Sequence, residues 1–249
     1  MAKLKSILKI EGTLDELTFY KTQDGHLVRT KGGVSGERIA NDPNFQRTRE
    51  NGAEFGSSAS SGKLLRNAVR NLMMNASDNR VTSRLTQIMT QIKNYDVASP
   101  RGERTVADGI ADPAALALLK NFDFNNKAAL SGVLFAPLSV NTVTGAISIP
   151  AFVPLNDIAY PSGATHISFK SAYAVVDFAN ETSVIEYSPV TNLPIGPTNA
   201  PVTLTPAAVP AGAGTKFYLL LIEFFQEVNA VQYPLKNGAY NVLNIVDAA

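Results

Sequence analysis

The stretch Phe217-Tyr-Leu-Leu-Leu-Ile-Glu-Phe-Phe225 is apolar or aromatic at every position except Glu223. Val, Ile, Phe and Thr are dense around it, so it reads as a strand. Successive side chains of a strand point to opposite faces. Phe217, Leu219, Leu221 and Phe225 therefore line one face, and Tyr218, Leu220, Ile222 and Phe224 the other. An antiparallel sheet ordinarily keeps one face wet, and this one has two dry faces. One face needs a further cover, either the helices that precede it in the chain or a second copy. Those four odd-numbered residues are candidate packing or interface positions.

From about residue 130 onward the chain is strand-rich. Segments 132–136, 144–153, 165–178, 182–187, 201–205, 215–228, 230–235 and 239–247 read as strands. Asn180-Glu181, Asn229-Ala230 and Asn237-Gly238 supply turns between them. Prolines 189, 194, 197, 201, 206 and 210 confine residues 189–212 to edge strand, arm or long loop, because proline donates nothing to a ladder. Short strands at this spacing predict an antiparallel β-sandwich over 126–249.

Residues 1–125 read differently. Residues 13–31 read as a β-hairpin: Phe19 and Lys21 alternate with Tyr20 and Thr22, Asp24-Gly25 supplies the turn, and Leu27 to Thr30 returns. Asp42 followed by Pro43 is a helix start, since proline at the first helical position loses no bond. Leu64, Leu65, Ala68, Val69, Leu72 and Met73 recur at helical spacing, as do Val81, Leu85, Ile88, Met89 and Ile92 after a polar break. Together they make a helical hairpin. Asp112-Pro113 opens another short helix. The fold class is thus α+β: an N-terminal hairpin and helical region over 1–125, then the sandwich.

Between these helices lies Gly56-Ser-Ser-Ala-Ser-Ser-Gly62-Lys63-Leu64. It superficially suggests a phosphate-binding loop. That motif needs four residues between its glycines, a Ser or Thr after the Lys, and a strand upstream. Here five residues intervene, Leu64 follows Lys63, and the upstream segment is polar and helical. The alternative reading is structural. Gly52, Gly56 and Ser60 are spaced by four and form a small-residue face that admits a close backbone. The segment is either helix or joint.

Composition excludes several chemistries. There is no cysteine, so disulfides, thiolate metal sites and cysteine nucleophiles are out. His26 and His166 are the only histidines. No G-x-S-x-G occurs, and the local carboxylate pairs Asp15-Glu16 and Glu223/Glu227 have no tryptophan platform beside them. The expectation is no enzyme, no cofactor and no metal. The N-terminus begins with basic residues, but Lys9 and Glu11 interrupt the apolar run a signal peptide requires. No apolar window is long enough to span a membrane. The chain is read as made in the cytoplasm, any extracellular role requiring a route without a signal peptide.

Charge is sparse and lopsided. Charged residues are 17 %, below the usual quarter. Residues 1–105 hold 17 Lys+Arg against 11 Asp+Glu, and residues 106–249 hold 5 against 10. Arg38, Arg47, Arg49, Lys63, Arg66, Arg70, Arg80 and Arg84 are the candidate surface for an acidic partner or for assembly. The leading expectation is a structural protein that self-associates into a homo-oligomer, such as a filament, tube or particle. The second is a β-sandwich module binding glycan or protein, with Tyr160, Tyr187, Tyr218, Tyr233 and Tyr240 as candidate surface aromatics. The third is nucleic-acid binding through the basic helical half.

The segments "GTLDELTFYKTQDGHLVRTKGGVSGERIANDPNFQRTRENGAEFG", "GKLLR" and "FYLLLIEFFQEVNAVQYPLKNGAYNVLNIV" resemble the two ends of uncharacterised proteins common in Bacteroidota genomes. The resemblance implies a bacterial origin. It brings no known activity and no catalytic residues.

Overall fold

The computed structural model describes residues 2–3, 10–23, 25–30, 32–235 and 238–249. Asp24 and Asn237, expected in turns, and Lys9, which interrupts the leading apolar run, lie outside them. The chain divides into two compact units, 1–49 and 50–249.

The smaller unit is a four-stranded antiparallel sheet followed by a short helix. Its strand order is Ala2–Lys3, Gly25–Thr30, Leu17–Thr22, Gly12–Leu14. The expected hairpin is present, with Leu17 opposite Thr30 and Thr22 opposite Gly25. Ser35 caps the helix Gly36–Asn41 by accepting from the Arg38 amide. The Asp42 side chain then accepts from the Asn44 amide and starts the turn Pro43–Phe45.

That turn runs into one continuous helix, Gln46–Ala68, so residues 52–62 are helix and not a joint. The division between the units falls within its first turns. The chain breaks helical geometry at Val69, resumes over Arg70–Met73, and returns as Val81–Ile92. Asp112 caps the helix Pro113–Ala117 as its sequence implied. No described helix is long and apolar enough to cross a membrane.

Two long antiparallel strands, His166–Asp177 and Thr215–Val228, form the centre of a seven-stranded sheet. Each has two shorter strands in series on its outer edge. Thr182–Tyr187 and Thr191–Pro194 flank the first. Val242–Ala248 and Val231–Leu235 flank the second. Phe122–Asp123 closes the far side against Val242–Ala248. A separate three-stranded sheet has the order Val202–Leu204, Ile147–Ile149, Ser139–Val140. The expected strand at 132–136 is instead the helical turn Leu130–Val133 followed by a single bridge from Leu134 to Ile158.

The central strand explains its own sequence. Phe217, Leu219 and Leu221 pack with Leu65, Val69, Leu85, Met89 and Ile92 of the helices. Leu220, Ile222 and Phe224 pack with Ile147, Ile149, Val202 and Leu204 of the small sheet. Tyr218 stands on that second side against Tyr173, its hydroxyl donating to the Thr142 carbonyl at 2.6 Å. The larger unit is therefore three layers: helices, a large sheet, a small sheet. Of the two covers the sequence allowed, the chain's own helices are the one found. The expected boundary at 125/126 falls inside this unit, because the helices and the sheet share one core.

Candidate functional site

The small-residue face lies elsewhere than expected. A Cβ built on Gly52 or Gly56 meets nothing within 4 Å, and both residues are exposed. Ser60 is exposed too, and lines an open groove with Ser57, Thr105, Phe178 and Glu181, of about 490 Å³. The face that packs is Glu54, Ser58, Gly62 and Leu65. At Gly62 a built Cβ would stand 3.6 Å from Met89 Cγ and 3.7 Å from Leu85 Cγ, which is where the hairpin closes.

Glu54 is the residue that sequence reasoning missed. It is only 4 % exposed, forms an ion pair with the buried Lys93, and accepts from the Gly102 amide at 2.8 Å. The Lys93 bond, reinforced by Gly102, holds its carboxyl below the ordinary range against the opposing effect of burial. A signal was available: Glu54, Ser58, Gly62 and Leu65 share one helical face with an obvious core residue. Nearby Asp96 accepts from the Ala98, Ser99 and Thr105 amides, which folds the loop after the second helix. Those bonds lower its carboxyl to about 2.

The eight basic candidates do not form one free surface. Arg84 is a cross-link: it pairs with Asp78, donates to the Asp123 and Phe124 carbonyls, and stacks on Phe122. Arg66 donates to Gly62 O and Thr82 Oγ1. In the smaller unit, Arg49 donates to the Ile39 and Asp42 carbonyls, and Arg38 pairs with Asp42 and lies over Phe45. Arg47, Lys63, Arg70 and Arg80 are exposed. Half of the set thus serves the fold of its own unit.

The tyrosines do not share a surface either. Tyr218 is fully buried. Tyr160 and Tyr240 lean on the core beside the small sheet, and Tyr187 on the core beside the helices. Tyr233 alone of the five is well exposed. Glu223 and Glu227 are four residues apart on one strand, so their Cα atoms lie ~14 Å apart, wider than the ~5–10 Å of a glycosidase pair. Burial raises the Glu223 carboxyl against the pull of Lys170. His166 lies 3.6 Å from Glu227. Among the described residues, no group of three His, Cys, Asp or Glu is placed to hold a metal ion.

The surface with the clearest unmet demand is in the smaller unit. Directly opposed residues share a face, so the pairs Leu14–Leu17 and Phe19–Val28 place four apolar side chains together. The other face carries Thr13, Thr18, Tyr20, Leu27 and Arg29, with Arg29 over the Tyr20 ring. The apolar row thus occupies one end of its face, which continues into Lys21 and His26 and has Thr30 at its margin. Yet no described residue of 10–49 is buried, and Leu14 is 62 % exposed.

No protein-family model, curated protein or solved structure matches the chain.

Proposed function

We propose that this protein is a structural subunit that associates with copies of itself into a homo-oligomer. The reading is carried by the sheet of residues 1–49. An apolar row left facing water forfeits the burial that would stabilise so small a sheet. Here the apolar row Leu14, Leu17, Phe19 and Val28 has the pattern of a covered face but no buried residue. A cover from a neighbouring subunit supplies what the described residues of the unit do not. The smaller unit is also the more basic one, with nine Lys+Arg against six Asp+Glu, whereas residues 50–249 hold thirteen against fifteen. That sign difference favours contact between unlike parts of two copies, a heterologous arrangement that closes into a ring or runs on as a filament.

Leu17→Asp tests this. It places a charge on the apolar face at a position 42 % exposed, where the single chain has little to lose. Light scattering is expected to give a lower assembly mass for the variant than for the wild type, with the thermal unfolding of residues 50–249 unchanged. Equal masses would count against the sheet as the contact.

A further inference from the structure

The outer edge of Thr182–Tyr187 is the longest unguarded edge of the seven-stranded sheet. The other edge segments are blunted. Val231–Leu235 contains Pro234, Thr191–Pro194 ends on proline, and Phe122–Asp123 is two residues long. Thr-Ser-Val-Ile-Glu-Tyr has neither proline nor lysine, and Glu186, near one end, is its single charge.

The ladder fixes which backbone groups point outward. The Ser188 amide donates to the Ser171 carbonyl at 3.0 Å. Hydrogen-bonded pairs alternate along an antiparallel ladder. In the register Tyr173–Glu186, Val175–Val184 and Asp177–Thr182, residues 182, 184 and 186 therefore bond inward. Ser183, Ile185 and Tyr187 face outward. The carbonyl of Tyr187 confirms the phase by accepting from the Ala207 amide at 3.0 Å. The outward groups of Ser183 and Ile185 have no backbone partner among the described residues.

We infer that this edge is an interface with a second copy of the chain, paired antiparallel about a twofold axis through Val184. Such an axis stands perpendicular to the sheet and keeps each helix layer on the same side, so residues of equal parity must oppose one another. With Val184 on the axis, Ser183 exchanges two backbone bonds with Ile185 of the partner, and the symmetric pair adds two more. Val184, 45 % exposed in the single chain, meets its own copy in a non-hydrogen-bonded pair, where side chains are closest. Glu186 falls opposite Thr182, so no like charges oppose one another. A shift to Ile185 on the axis would pair Ser183 with Tyr187, whose carbonyl is already taken. Between these two, the free backbone bonds and the apolar Val184 contact favour the axis through Val184. The proposal rests on the self-association reading and names one of its surfaces.

The absence of native cysteine makes a clean test. Val184→Cys puts two thiols at Cα positions ~4.5 Å apart, inside the ~4.4–6.8 Å a disulfide spans. Glu186→Cys puts them ~14 Å apart at four residues of offset. Full-length Val184→Cys under mild copper–phenanthroline oxidation is expected to form a covalent dimer at least tenfold faster than Glu186→Cys, by non-reducing electrophoresis. Light scattering runs alongside. An oligomer in which both variants cross-link equally slowly overturns the edge pairing and leaves self-association standing. A monomer overturns both.

Discussion

At the residue scale, the helical layer hangs on two acids that its sequence presents as surface residues. Glu54 is buried with Lys93, and Asp96 gathers three loop amides. Breaking a buried pair from one side leaves an uncompensated charge. Lys93→Met is therefore expected to lower stability by ~3–5 kcal/mol in urea unfolding, and Glu54→Gln in the same chain to recover much of it. Both carboxyls titrate below their ordinary range in the fold. A depressed pKa adds stability that is fully present above the unfolded value, and it is lost as pH falls through the folded one. Acid unfolding is thus expected to steepen below the ordinary carboxylate range and to extend down towards about 2, the Asp96 value. Asp96→Asn should flatten that limb in a pH series of thermal melts. Glu54 was hard to read because its neighbours Arg49, Glu50 and Asn51 make the helix look solvated; only its alignment with Leu65 marks it as internal.

At the scale of elements, the central strand shows how far pattern reaches. Period-two reading placed most of the larger unit's strands, since an apolar run bounded by turn residues has few other solutions. The two-faced strand also announced that two layers must cover it. Both layers being internal, Leu219→Ala and Leu220→Ala are each expected to cost ~2–5 kcal/mol in denaturant melts. A strand with one wet face would show that cost at only one of the two. What pattern did not show was spacing without apolar content. Gly52, Gly56 and Ser60 looked like a contact stripe, but the helix is rotated so that Gly62 makes the approach. Small residues mark where a backbone can come close, and the neighbouring helix decides where it does. Likewise the short strands Ser139–Val140, Thr191–Pro194 and Phe122–Asp123 carry too few residues to show a period.

At the scale of the molecule, one unit has a large core and the other has none of its described side chains buried. That imbalance is the reason for reading the chain as part of something larger. The α+β class and the order of hairpin, helices and antiparallel strands were legible from turn residues, helical spacing and the shift to a strand-rich composition. The division at residue 49 was not, because the helix Gln46–Ala68 crosses it without a linker. Nor was the core shared by helices and sheet, since contacts between residues so distant in sequence leave no local mark. A twofold edge contact stops at a pair, while a heterologous contact through the sheet of residues 1–49 closes into a ring or runs on as a filament; a subunit with both builds beyond a dimer. The most direct test is sedimentation velocity of the purified full-length protein across micromolar concentrations. Species of at least twice the 26.6 kDa chain, growing with concentration, are expected. A single species at the mass of one chain throughout would contradict it.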